Sequence, residues 1–63
     1  MRSAQTKYKY KVLYADGVEI YRHPYATRND IEDADMYISN IRYNARYTED
    51  LADAKFTERI EYR

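Results

Sequence analysis

His23 is the single histidine in a chain of 63 residues, and histidine is the side chain best suited to general acid or base work near neutral pH. To catalyse, it needs a nucleophile to deprotonate and a third group to orient its ring. The only serines, Ser3 and Ser39, stand in no motif that brings either beside it. His23 therefore reads as a strand-end residue next to Pro24. With no cysteine there is no thiol nucleophile, no thiolate metal site and no disulfide. No catalytic residue is expected, and no enzyme.

Asp30, Glu32, Asp33 and Asp35 form an acidic run of the kind that binds cations. A calcium loop of the EF-hand type needs glycine at its sixth position and glutamate at its twelfth. Counted from Asp30, those places hold Asp35 and Ile41. The run fits a helix N-terminus, where negative charge is favoured. Neither a metal nor a cofactor nor a small-molecule substrate is expected.

Lys7-Tyr8-Lys9-Tyr10-Lys11 interleaves cations with aromatic rings, as grooves for single-stranded nucleic acid do. On a strand, however, alternate residues point to opposite faces. The tyrosines then belong beneath a covering helix, and the lysines form a row in solvent. That row, Lys7, Lys9 and Lys11 with Tyr21 and His23 beside them, could grip phosphates. It equally serves to keep a sheet from aggregating. Eleven basic residues are balanced by eleven acidic ones, so long-range steering toward nucleic acid is weak. A nucleic-acid-binding domain is the second reading of function.

Ile31, Ala34, Ile38, Ile41 and Ala45 recur at spacings of three and four, the apolar stripe of a helix lying on a sheet. Met36, Asn40, Tyr43 and Tyr47 recur in the same way and centre on nearly the opposite side. A helix resting on one sheet buries one stripe, so the second is left outward unless the segment around Leu51 covers it. Methionine and tyrosine are adaptable anchors at protein interfaces. Arg46 and Asn40 would add directional contacts. The stripe is the candidate partner-binding site, for another protein or for a second copy in a homodimer.

These residues need elements to hold them. Lys7 to Tyr14 alternates strictly and reads as a strand. Ala15-Asp16-Gly17 reads as its turn, and Val18 to Arg22 as the returning strand. A three-residue loop with Gly17 in a bulge pairs Tyr14 with Val18 and Val12 with Ile20. It gathers Tyr8, Tyr10, Val12, Tyr14, Val18 and Ile20 on one face. A two-residue Asp16-Gly17 turn would put Val12 and Ile20 on opposite faces, and the bulged hairpin is preferred on that ground. Pro24 ends the second strand. Thr27 with Asp30, or Asn29 with Glu32, starts the helix by a capping box. Thr48-Glu49-Asp50 caps a short turn through Ala54. Phe56 to Arg63 then alternates as a third strand, with Glu58 as an odd member of its apolar face. A second helix from Glu49 onward is the alternative, but its apolar residues scatter around the wheel.

The fold class is α+β: a small ββαβ domain, with a three-stranded antiparallel sheet in the order 2-1-3 and one helix packed on its aromatic face. Residues 1–6 read as a flexible tail and 7–63 as a single domain. Only eleven large apolar side chains besides the nine tyrosines are available once Met1 is set aside. Some tyrosine rings must therefore be core, and the rest surface. Neither a membrane span nor a signal peptide is apparent, and the cytoplasm is the expected compartment. The plan and small size resemble small phage- or mobile-element-encoded proteins that bind and block host enzymes. What this likeness implies is an inhibitor that acts by occlusion.

Overall fold

A computed structural model describes residues 7–63; the expected tail, residues 1–6, lies outside them. Strand β1 spans Lys9–Ala15, β2 Val18–Pro24, helix α1 Arg28–Ala45 and β3 Phe56–Tyr62. The strands form one sheet in the order β2-β1-β3, with β1 antiparallel to both neighbours. The expected ββαβ plan, strand order and third strand are all present.

The hairpin differs from its expected form. Asp16 and Gly17 have φ of 52° and 83°, the two left-handed residues of a two-residue turn whose twist suits a hairpin. Tyr14 therefore faces Glu19, and Ala15 faces Val18. The register then shifts, so that Leu13 faces Tyr21, Val12 faces Arg22 and Lys11 faces His23. Ile20 is the extra residue of a bulge inside β2. The irregularity was expected in the turn, with Tyr14 opposite Val18 and Val12 opposite Ile20; it lies within the strand. Asp16 anchors this end twice over. Its N–H donates to the Lys55 carbonyl at 2.9 Å, and its carboxylate accepts from the Lys55 N–H at 2.9 Å.

The helix begins where the capping box predicts. The Thr27 hydroxyl accepts from the Asp30 N–H, and the Asp30 carboxylate accepts from the Thr27 N–H. Its buried residues are Ala34, Ile38 and Ala45, with Ile31 and Ile41 half-buried, the stripe read from the sequence. After Ala45 the chain descends in successive turns, closed by the Leu51 N–H on Thr48 and the Ala54 N–H on Leu51.

The helix covers the face opposite to the one expected. Lys9, Lys11, Leu13 and Ala15 lie on its side of β1, with Tyr21 and His23 of β2 and Phe56, Glu58 and Ile60 of β3 as their cross-strand neighbours. Lys11 reaches Asp35 of the helix, and the His23 ring meets Tyr37 of the helix with centroids 5.6 Å apart. Tyr10, Val12 and Tyr14 face away. Among the described residues the buried apolar set is Val12, Leu13, Ala15, Ala34, Ile38 and Ala45. Leu13 and Ile38 supply the bulk.

Both faces manage their misfit residues electrostatically. On the open side, the Arg22 guanidinium sits over the Tyr10 ring at 5.2 Å and that of Arg59 over Tyr14 at 5.7 Å. Arg22 and Arg59 also flank Val12 from either side, and Val12 is wholly buried although no described helix or strand covers it on that face. Long side chains shield apolar surface with their stems while their charged heads stay wet. On the helix side, Lys11 Nζ lies 2.8 Å from Asp35 and 3.1 Å from Glu58, and Arg42 pairs with the same Glu58.

Candidate functional site: the outer face of the helix

With Ala34, Ile38 and Ala45 turned to the sheet, helical geometry points Met36, Asn40 and Tyr43 outward; Tyr47, expected on the same helix face, stands two residues past the helix end, in the turn that follows. Met36 is 51% exposed, Tyr43 56% and Tyr47 75%. Asn40 and Arg46 are exposed as well. The turns around Leu51 leave the stripe open. Tyr43 and Tyr47, one turn apart, meet edge to face with centroids at 5.9 Å, and the Arg46 guanidinium lies 5.4 Å from the Tyr43 ring centre. The three side chains hold one another in place, which lowers the entropy lost when a partner immobilises them.

Beside this strip, a groove of about 520 Å³ separates the helix from the segment entering β3. Arg42, Tyr43 and Arg46 form one bank; Ala52, Ala54 and Phe56 form the other, with Glu58 at its end. Arg42 lies over the Phe56 ring at 5.6 Å. An aromatic strip with guanidinium donors along its margin can take up apolar side chains and offer hydrogen bonds to carbonyls or carboxylates. It holds no acid–base pair for chemistry. Sequence reasoning missed the groove, because its second bank comes from loop residues whose position only the turns after the helix define.

The five residues named for the alternative site fare differently. Lys7 is exposed and Lys9 half-buried, with its ammonium 5.8 Å from the Tyr25 ring centre. Lys11 lies at the helix–sheet boundary between Asp35 and Glu58. Its hydrogen bond to Asp35 foremost, with help from Glu58, raises its pKa further above the ordinary lysine value despite partial burial. Tyr21 and His23 are half-buried, their tilted rings in series with that of Tyr37 of the helix. Burial, with Tyr37 nearby, pushes the Tyr21 phenol up. The solvent-facing lysine row is therefore corrected: Lys9 and Lys11 lie on the side of β1 that the helix covers, where Asp35 of the helix and Glu58 of β3 supply the counter-charges to Lys11. His23 accordingly spends its ring on packing, and its Nδ1 lies 2.8 Å from the Pro24 carbonyl.

The carboxylates show the same pairing. The Lys11 hydrogen bond holds Asp35 below the usual carboxylate range. Glu58 is pushed up by burial, but hydrogen bonds from Lys11 and Arg42 outweigh that and leave it depressed. On the open face, the Tyr14 hydroxyl donates to Glu61, which together with Arg63 lowers the Glu61 carboxyl. Arg63 bridges Glu61 at 2.8 Å and Glu19 at 2.6 Å. Among the described residues, no group of three or more potential metal ligands converges, and no helix is long and apolar enough to cross a membrane. Comparison with protein-family models, with curated proteins and with solved structures gives no match.

Proposed function

We propose that this chain is a non-enzymatic protein-binding module that occludes a partner through the outer face of α1. Met36, Tyr43 and Tyr47 are the anchors, and Asn40 and Arg46 give directional contacts. The observation that carries this reading is the pre-set Tyr43–Tyr47–Arg46 cluster, standing in solvent at the C-terminal end of α1 and in the turn that follows it. Interfaces concentrate their energy in a few aromatic and arginine side chains of this kind. The adjoining groove widens the surface beyond one stripe and offers Phe56 and Arg42 at its floor and rim. An inhibitor of a larger enzyme fits this surface, since blocking needs area and complementarity and no chemistry of its own.

The test is a pull-down from lysate with and without nuclease, run beside the Tyr43→Ser/Tyr47→Ser variant. Both rings are exposed, so the variant should keep its far-UV circular dichroism and its melting temperature within a few degrees. One stoichiometric protein should be captured, survive nuclease and vanish with the variant. Capture that disappears with nuclease, or that the variant retains, defeats the reading.

A further inference from the structure

The two edges of the sheet are unequal. In β1–β3, Tyr8 and Arg63 exchange both backbone hydrogen bonds, at 2.7 and 2.9 Å. Antiparallel pairs alternate, so Thr57, Arg59 and Glu61 also direct their backbone groups to β1. Phe56, Glu58, Ile60 and Tyr62 direct theirs to the outer edge, which no other described strand pairs. At β2 the corresponding edge is blunted. The Tyr25 N–H bonds the Lys9 carbonyl, which turns residue 24 outward, and there stands a proline with no N–H to give. The bulge at Ile20 interrupts the ladder nearer the turn. Natural sheets protect edges by such means. β3 has neither proline nor bulge, and Ile60 and Tyr62, on the helix side of it, are 43% and 61% exposed.

We propose that β3 is a homodimerisation strand, pairing antiparallel with the β3 of a second copy about a two-fold axis at Ile60. The two sheets then run on as one, three strands from each copy. In this register Ile60 faces its own counterpart and exchanges both backbone bonds with it. Glu58 does the same with Tyr62 of the partner subunit. On the open face, Arg59 stands opposite Glu61 of the partner subunit, and the two-fold repeats that pair. These are non-hydrogen-bonded positions, where opposed side chains approach to about 4.5–5.5 Å. The neighbouring registers are penalised: centring on Arg59 opposes two arginines, and centring on Glu58 opposes two carboxylates. Charge and apolar patterning thus select one second copy in one register, and the outer helix faces of both protomers stay free on the same side.

Sedimentation equilibrium over a concentration series tests this with Arg59→Glu and Glu61→Arg. Each change alone sets like charges opposite one another and should weaken the dimer about tenfold or more. Mixing the two variants restores opposite charges at both pairs, so a heterodimer should form where neither variant pairs with itself. Because both residues also support Tyr14, hydrogen exchange on the unaltered chain supplies a second readout. The amides of Glu58, Ile60 and Tyr62 should gain protection as concentration rises. A wild-type chain that stays monomeric to about 1 mM, with those amides unprotected, overturns the proposal. So does a dimer that both reversals leave intact, or an edge that binds an unrelated extended peptide while the chain remains monomeric.

Discussion

Glu58 ties the two layers of the molecule together. It accepts from Lys11 of the central strand and from Arg42 of the helix, across elements distant in sequence. Glu58→Gln removes the charge that both cations share and should cost about 1 kcal/mol, the scale of a partly screened ion pair. Its pH signature is more specific. The folded-state pKa values of Glu58 and Asp35 lie below their ordinary values of 4.5 and 3.8. The unfolded chain therefore takes up protons first as pH falls. The stability these carboxylates contribute is complete at neutral pH, declines as pH drops through the ordinary values, and is lost below the folded ones. Thermal melts of Glu58→Gln should show a shallower acid limb than wild type and a parallel course above pH 6; equal slopes would remove Glu58 from this role. The same residue marks where the sequence misleads. As a carboxylate on an otherwise apolar strand face it looks like a flaw. Set against Lys11 and the acidic first half of the helix, it is the signal for which sheet face is covered.

At the scale of elements, the helix was the most legible part of the chain. Its period, its Thr27/Asp30 box and its inward stripe, with Ala34, Ile38 and Ala45 buried, all follow from spacing alone. Thr27→Ala deletes one half of the box and should cost about 1 kcal/mol, lowering the melting temperature by about 4–8 °C. An unchanged melting temperature would mean that the cap is idle. The third strand was legible too, because the apolar residues after Glu49 fit a period of two and scatter at 3.6. The hairpin was not. Its turn residues are the ordinary Asp-Gly pair of a two-residue loop, but placing the bulge required knowing which face was buried. Counting apolar side chains answers that wrongly, because a tyrosine under an arginine counts as apolar in sequence and behaves as surface in the fold. The outer helix stripe was legible as an arrangement of residues, since it needs only the helix and the direction of its buried side. The groove beside it depends on turns that no pattern announces.

For the whole molecule, the inversion of the sheet decides which surfaces remain free. A core built from Leu13, Ile38 and a few alanines is small even for this length, and below about 70–80 residues such cores supply little margin. Arginine–tyrosine stacking on one face and the Lys11–Glu58–Arg42 linkage beneath the helix make up part of the difference. This arrangement draws Lys11 into the helix–sheet boundary and leaves the outer helix face and the β3 edge exposed. The most direct measurement is a methyl and aromatic NOESY spectrum of the isotope-labelled chain. Cross-peaks from the Leu13 methyls to Ile38 and Ala34, and from the His23 ring to Tyr37, are predicted. Cross-peaks from Val12 or Tyr10 to Ile38 would put the helix on the other face of the sheet and contradict the account.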